Sequence, residues 1–134
     1  MIFFFDNNTP PRFSAALRAF DHDVRHITEC VEHFPRKGAT PDEEWIPIIG
    51  RLGWIAVTSD RRILAREQQR RLLIEAKLIT FFMPSGFVNL PLWPQFELLV
   101  KAWPNIVSAA ERARSGDLYE VQQNGKVTYF TPRR

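Results

Sequence analysis

The chain has 134 residues and a mass of 15.7 kDa, which is the size of one ordinary domain. Apolar residues make up 45% and charged residues 25%, with 4 Trp and 11 Phe, so an intrinsically disordered chain is excluded. No apolar run approaches the roughly 20 residues that cross a bilayer. The single cysteine, Cys30, excludes an internal disulfide, and the net charge of +3 mildly favours an anionic partner. We therefore expect a cytoplasmic protein with no membrane partner.

The first two thirds of the chain predict strands that alternate with helices. Apolar runs and helical spacings give, in order, a strand at 2–5, a helix from 10 to 20, a strand at 22–27, a loop at 29–40, a helix at 41–52, a strand at 54–58, a helix at 62–76 and a strand at 78–82. Thr9 before Pro10 predicts an N-cap, and Thr40, Pro41 and Glu43 predict a capping box. The alternation predicts an α/β fold with a mostly parallel central sheet flanked by helices.

Beyond Pro84 the pattern changes to a long helix, marked by an apolar face over residues 96–107 and closed by Gly116, and then to a β-hairpin at residues 118–122 and 126–130. Asn124 and Gly125 between the two hairpin strands predict a type I′ turn. Because a lone hairpin is only marginally stable, we expect it to pack on the main sheet or on another chain. We expect residues 1–84 to form the core and residues 85–134 to form an extension packed on the same domain.

Three aspartates are expected to meet at one edge of the sheet. Asp6 closes the first strand and Asp60 follows the strand at 54–58, so both emerge at the carboxyl edge if these strands are parallel. Asp42 lies in the first turn of the preceding helix, whose N-terminus returns to the same edge. Carboxylates this close repel one another unless a cation neutralises them, and oxygen ligands without His or Cys suit Mg²⁺ or Mn²⁺. Because such a cation activates water for phosphodiester displacement, the sequence predicts phosphodiester hydrolysis.

Three motifs at these aspartates carry a family resemblance: Phe5-Asp6-Asn7-Asn8, Asp42-Glu43-Glu44-Trp45 and Val57-Thr58-Ser59-Asp60-Arg61-Arg62. Over roughly residues 2–83 their order and spacing resemble the PIN-like nucleases, particularly the compact VapC-type toxins of prokaryotic toxin–antitoxin pairs. The resemblance implies a magnesium-dependent endoribonuclease that a cognate antitoxin holds inactive and that usually pairs with a second copy of itself.

The same resemblance assigns roles to individual residues. It implies that Asp6, Asp42 and Asp60 are the metal-binding acids, and that Thr58 or Ser59 supports the last of them by a hydrogen bond. Two further side chains, Asn7 and Glu43, are secondary candidates beside the acids. PIN domains often carry a fourth acid after the third, where this chain has Arg61 and Arg62.

Two other groups of residues suggest contacts with partners. Arg62, Arg66 and Arg70 recur every four residues and predict a basic ridge that guides an RNA backbone towards Asp60, although a solvated helix face is an equal alternative. The apolar stripe from Phe96 to Val107 is more often ordinary core than a partner groove. If the antitoxin or a second copy binds outside the matched region, the aromatic residues predict the surface, and they are Trp93, Phe96 and Trp103.

Three alternative functions remain open from the sequence. His22, His26, Cys30 and His33 have spacings that a zinc site uses, although Val24 and Ile27 favour a strand there. The segment from Asp6 to Thr9 distantly resembles a haloacid-dehalogenase phosphatase, but the second aspartate of that family is Asn8 here. The third alternative is a catalytically weak PIN-like module that binds nucleic acid or protein.

Overall fold

The computed structural model describes residues 1–35 and 38–130. The strands are β1 (Phe3–Phe5), β2 (Val24–His26), β3 (Ile55–Thr58), β4 (Thr80–Phe82), β5 (Leu118–Val121) and β6 (Val127–Phe130). The α-helices are α1 (Pro11–Ala19), α2 (Asp42–Leu52), α3 (Arg62–Ala65), α4 (Glu67–Ala76) and α5 (Leu92–Arg112). Short 3₁₀-helices span Ile27–Glu29 and Phe87–Asn89.

The strands of the described residues form one sheet in the order β2-β1-β3-β4-β5-β6. Every neighbouring pair is parallel except β5 and β6, which are antiparallel. The predicted α/β fold with a mostly parallel sheet flanked by helices is therefore confirmed. The chain passes from β1 to β2 on one side of β1, and then crosses to β3 on the other side. The sheet therefore has a topological switch point between β1 and β3. Ligands of open α/β sheets bind at the carboxyl edge beside such a point.

The side chains of β1 alternate between two hydrophobic cores, one on each face of the sheet. Phe3 and Phe5 pack with α1 and α5, where the ring of Trp103 lies 4.8 Å from that of Phe3. Phe4 packs on the opposite face with α2, α3 and α4, where its ring lies 5.3 Å from that of Trp45. Burying each such aromatic side chain stabilises the fold by roughly 1.5–3 kcal/mol. The strand that precedes Asp6 is thus packed against a hydrophobic core on each of its two faces.

A close contact between α2 and α4 fixes the direction of α2. A Cβ atom at Gly50 would lie 2.5 Å from the carbonyl oxygen of Ala76, so a side chain at this position would force the helices apart. The helix then ends at Gly53, whose φ of 70° lies in the left-handed region that glycine adopts without strain. The close approach and the turn thus both lie at the C-terminal end of α2, opposite the end that carries Asp42.

Both predicted N-caps are wrong by one residue. Pro10 and Pro41 occupy the N-cap positions of α1 and α2, and neither helix has a side-chain cap hydrogen bond. Pro10 has the extended ψ of 133° that is favoured before another proline, so Pro11 becomes the first helical residue. The capping box predicted at Thr40 and Glu43 is absent because α2 begins at Asp42 rather than at Pro41.

The single helix predicted over residues 62–76 is two helices, with a break at Arg66. The backbone there has φ of −95° and ψ of 123°, which is extended. Leu64 and Leu73 are both buried. In one continuous helix they would lie about two and a half turns apart and point in opposite directions, so the break lets both face the core. The predicted ridge of Arg62, Arg66 and Arg70 along one helix face is therefore wrong.

The C-terminal hairpin packs on the main sheet, which is one of the two arrangements that the sequence predicted. β5 pairs with β4, and β6 pairs with β5 at the edge. The predicted type I′ turn is wrong, because Gly125 has a positive φ of 84° but Asn124 does not. The amide N–H of Gly125 donates to the carbonyl of Gln122, and that of Gln122 donates to the carbonyl of Lys126. The connection is thus a three-residue loop with a glycine in the left-handed position, the second common hairpin design.

The long C-terminal helix α5 has 21 residues, begins at Leu92, before the predicted apolar face, and ends at Arg112, short of the predicted stop at Gly116. Of the predicted partner surface, Trp93 is 67% exposed, whereas Trp103 is only 3% exposed. The prediction for Trp103 is wrong because its ring packs against Phe3 and Phe5 in the core. Among the helices that the structure describes, none is both long enough and apolar enough to cross a membrane.

Candidate active site

A cavity of about 270 Å³ opens at the carboxyl edge of the sheet, beside the switch point. The predicted acids Asp6, Asp42 and Asp60 all line it. They come from the end of β1, the first residue of α2 and the segment after β3. The other lining residues are Asn7, Asn8, Ala39, Thr40, Pro41, Glu43, Trp45 and Arg62. Three acids that are far apart in the sequence therefore share one small volume.

Asp6 is the most buried of the three acids, with 2% of its surface exposed. Its Oδ2 accepts hydrogen bonds from the Thr58 hydroxyl at 2.7 Å and from the Asn8 amide at 3.5 Å. Its Oδ1 is buried and has no hydrogen-bond partner among the described residues. Burial, reinforced by repulsion from Asp42 and Asp60 and opposed by the bond from Thr58, raises the pKa of Asp6 to about 7. Without a cation, much of Asp6 is therefore protonated at neutral pH.

Asp42 is held by its own helix. The indole Nε1 of Trp45, one turn further along α2, donates to Asp42 Oδ1 at 2.9 Å. Burial raises the pKa of Asp42, and repulsion from Asp60 and Glu43 adds to this effect despite the bond from Trp45. The carboxylate is thus fixed in direction but is electrostatically unfavourable where it stands.

Asp60 differs from the other two acids because it has a cationic partner. Arg62 donates to it in a bidentate pair, from Nε to Oδ1 at 2.9 Å and from Nη2 to Oδ2 at 3.0 Å. The backbone N–H of Arg62 also donates to Oδ1, at 3.1 Å. These hydrogen bonds outweigh partial burial and lower the pKa of Asp60. Asp60 is therefore ionised at neutral pH.

Of the two hydroxyl residues predicted to support Asp60 by a hydrogen bond, Thr58 makes one, and it involves the backbone of Asp60. Thr58 donates to the carboxylate of Asp6 and accepts a bond from the backbone N–H of Asp60 at 3.0 Å. Ser59 donates to the carbonyl of Asn8 at 3.3 Å. Thr58 also reaches Asp6 because Phe5 pairs with Val57 in the sheet, which places the next residues, Asp6 and Thr58, side by side.

The secondary candidates Asn7 and Glu43 lie at the rim of the cavity and are exposed. The amide of Asn7 donates to the carbonyl of Thr40 at 3.4 Å, which joins the loop after β1 to the segment before α2. Two partners of the acids, Asn8 and Trp45, were not among the predicted site residues. Their spacing of two and three residues from an aspartate is the signal that identifies such local contacts.

The predicted basic residues have different surroundings. Arg62 pairs with Asp60, and Arg70 donates to the carbonyl of Leu64 at 3.2 Å. Arg66 is exposed and, together with Glu43, lines a second cavity of about 570 Å³ next to the acids. A polar surface, on which Arg66 lies with Glu43 and Glu67, thus begins at the rim of the acidic cavity.

The residues of the zinc hypothesis do not converge. Both ring nitrogens of His26 are engaged, Nδ1 with the Thr28 hydroxyl at 2.8 Å and Nε2 with the carbonyl of Thr9 at 2.7 Å. His22 and His33 lie against different tryptophan rings. Over residues 1–35 and 38–130, no three His, Cys, Asp or Glu side chains stand in an arrangement that holds a metal ion.

The sheet order and the carboxylate-lined cavity define an α/β domain with a site at the carboxyl edge of a parallel sheet. The family model of the PIN-like domain matches residues 1–85, more than half of the chain. The chain therefore belongs to the PIN-like domain family, as the resemblance of its motifs predicted. PIN-like domains are typically nucleases and generally use divalent metal ions. No curated protein and no solved structure matches the chain. The closer resemblance to VapC-type toxins stays a prediction.

Proposed function

We propose that this protein is a metal-dependent endoribonuclease that acts as the toxin of a toxin–antitoxin pair. One observation carries the nuclease part of the proposal: Asp6, Asp42 and Asp60 line a single cavity at the switch point of the sheet. Membership of the PIN-like family supports hydrolysis of a nucleic acid. The choice of RNA and of the toxin role rests on the resemblance of the three motifs to VapC-type toxins.

The acids fit a hard divalent cation in chemistry and in charge. Three carboxylates without His or Cys are the ligands that Mg²⁺ and Mn²⁺ prefer. The buried, unpartnered Oδ1 of Asp6 and the raised pKa values of Asp6 and Asp42 are both features that a cation would relieve. Because Asp42 faces Trp45 and Asp60 faces Arg62, their side chains would have to turn to complete the ligand set.

The acids of the cavity and the residues that hold them have different roles in this proposal. A divalent cation bound by Asp6, Asp42 and Asp60 would supply water activation and charge stabilisation for phosphodiester displacement. Thr58 orients Asp6 by donating to its Oδ2, which leaves the buried Oδ1 without a hydrogen-bond partner. In the metal-free protein the indole of Trp45 holds the Asp42 carboxylate, which would turn away from it to bind the cation. Both donors are neutral, so they hold the carboxylates without adding positive charge.

The RNA backbone is proposed to pass over the polar surface beside the cavity. Arg66 lines this surface, Arg70 follows it one turn along α4, and neither arginine bonds the three acids. Replacing both with Gln should weaken RNA binding and flatten its salt dependence, because each lost phosphate contact reduces the slope of log affinity against log salt by about 0.7 for a single strand. An unchanged slope would contradict a role for these arginines in RNA binding.

The proposed partner is a cognate antitoxin, with a second copy of the chain as the alternative. Apolar side chains are exposed where α1 faces the first half of α5. They include Phe20, which is 77% exposed, and Trp93, which is 67% exposed. Cavities of about 330 and 350 Å³ lie between these helices. Light scattering of the purified chain tests the dimer, and co-expression with the product of a neighbouring reading frame tests the antitoxin.

The nuclease proposal is tested by cleavage of labelled single-stranded RNA with Mg²⁺, with Mn²⁺ and with EDTA. We compare the wild type with Asp6→Asn, and use Asp21→Asn as a control that makes the same charge change at an exposed turn. Cleavage should require the cation, should fall at least 100-fold in Asp6→Asn and should persist in Asp21→Asn, as expected for loss of a metal ligand.

The other outcomes distinguish the alternatives. Cleavage that survives EDTA, or that is equal in Asp6→Asn, would contradict the proposal. Metal-dependent RNA binding without cleavage would favour the binding module instead. Equal cleavage of single-stranded DNA would contradict the choice of RNA while leaving a nuclease function.

A further inference from the structure

The strongest ion pair of the cavity joins one of the proposed metal ligands to an exposed arginine. Both oxygens of Asp60 accept hydrogen bonds from the guanidinium of Arg62, and the Asp60 side chain is 5% exposed. The Arg62 side chain is 69% exposed, so most of it lies in solvent. A buried carboxylate is thus covered by a cationic group that has room to move away.

Asp60 is distinct from the other two acids in this respect. The described contacts of the Asp6 and Asp42 carboxylates come from neutral groups, the Thr58 hydroxyl, the Asn8 amide and the Trp45 indole. A guanidinium adds a full positive charge at the place where a divalent cation would bind. Among residues 1–35 and 38–130 no three His, Cys, Asp or Glu side chains form a metal-holding group, and both oxygens of Asp60 are engaged by Arg62.

We propose that Arg62 is a displaceable cation, which lowers the affinity of the cavity for divalent metal and, once released from Asp60, binds a phosphate of the nucleic-acid substrate. This inference rests on the proposed function, because it concerns the same cavity. A metal ion that coordinates Asp60 repels the guanidinium and competes for the same oxygens. The released guanidinium stays within reach, because its backbone lies only two residues from Asp60, and its planar fork matches a phosphate as well as a carboxylate.

The proposal predicts two effects of opposite sign for one substitution. Arg62→Gln removes the competing charge, so Mn²⁺ should bind about five- to tenfold more tightly. The same variant lacks the phosphate contact, so the Mn²⁺-loaded protein should bind nucleic acid roughly fivefold more weakly. A merely structural role for the ion pair would lower stability without tightening metal binding. Because the side chain is largely exposed, we expect the variant to fold.

The first measurement is titration calorimetry with Mn²⁺ alone on the wild type, Arg62→Gln, Arg62→Lys and Arg51→Gln. Arg51 is the matched control, since it is an exposed arginine in the last turn of α2, about 13 Å along the helix from Asp42. Lysine keeps the charge but lacks the bidentate fork, so Arg62→Lys should bind Mn²⁺ less tightly than Arg62→Gln. Arg51→Gln should match the wild type within twofold.

The second measurement is fluorescence anisotropy of a short labelled 2′-O-methyl oligouridine with the Mn²⁺-loaded proteins, with the intact probe confirmed on a gel. The proposal is supported if Arg62→Gln binds Mn²⁺ more tightly and the probe more weakly than the wild type does, and if Arg51→Gln shows neither change. If the wild type binds Mn²⁺ but Arg62→Gln does not bind it more tightly, this inference is overturned and the proposed function stands. If neither protein binds Mn²⁺, the proposed function fails as well.

Discussion

The ionised carboxylate of Asp6, which the proposed function needs, destabilises the fold. Replacing Asp6 should therefore stabilise the metal-free protein. The pKa of Asp6 is raised by burial and by its acidic neighbours from 3.8 to about 7. Below pH 4 the carboxyl is protonated in both the folded and the unfolded chain. As the pH rises from about 4 to about 7, the unfolded chain ionises first, so the free energy of unfolding falls. Above pH 7 the loss is complete.

The size of this effect follows from the pKa difference. Each pKa unit corresponds to about 1.36 kcal/mol, so ionised Asp6 destabilises the fold by at most about 4 kcal/mol. Asp6→Asn removes this loss, and the figure already includes the favourable hydrogen bond from Thr58 to the ionised carboxylate. We therefore expect Asp6→Asn to gain up to about 4 kcal/mol at pH 8 and little or nothing at pH 4.

The assay is urea unfolding followed by tryptophan fluorescence, in EDTA, at several pH values between 4 and 8. Asp21→Asn, at an exposed turn, is the control for the change of charge. A gain for Asp6→Asn that is no larger at pH 8 than at pH 4, or a loss at every pH, would refute the electrostatic reasoning. With Mn²⁺ in place of EDTA, the wild type should be stabilised and Asp6→Asn should not.

Further substitutions test the fold around the site. Gly50→Ala should lower the free energy of unfolding by about 1–3 kcal/mol, because the new methyl group meets the C-terminal end of α4; no loss in urea unfolding would contradict this contact. Burial opposes ionisation of Glu29, but hydrogen bonds from Arg18 and its neighbours lower its pKa, so this pair stabilises the fold above about pH 4.5 and less as the pH falls. Glu29→Gln should therefore flatten the acid limb of a plot of melting temperature against pH, and an unchanged limb would contradict the pair. A double-mutant cycle on Arg61 and Glu120 should give a coupling energy of about 0.5–1 kcal/mol, and zero coupling would show that their 2.6 Å contact adds no stability.

The sequence was sufficient for the features that depend on strand order and burial. A run such as Phe3-Phe4-Phe5 is apolar on both faces and fits only an interior strand of an α/β sheet, so the position of Asp6 followed directly. Asp60 could be placed for the same reason, two residues after the end of β3. The common cavity of the acids then follows from the parallel direction of the strands.

The features that the sequence did not predict depend on tertiary contacts or on single-residue shifts. The break at Arg66 arises because Leu64 and Leu73 must both reach the core, which local helix propensity does not record. The N-caps moved by one residue because each helix begins after a proline that already has an extended backbone. The pair of Arg62 with Asp60 depends on the loop conformation between β3 and α3, and not on helical spacing.

The central claim is that Asp6, Asp42 and Asp60 together hold one divalent cation. Anomalous diffraction from a crystal soaked in Mn²⁺ tests it most directly. We predict a peak in the cavity with an oxygen of each of the three carboxylates at about 2.1–2.3 Å, and with Arg62 turned away from Asp60. A cavity without a peak at saturating Mn²⁺, or a peak bound to acids elsewhere on the protein, would contradict the claim.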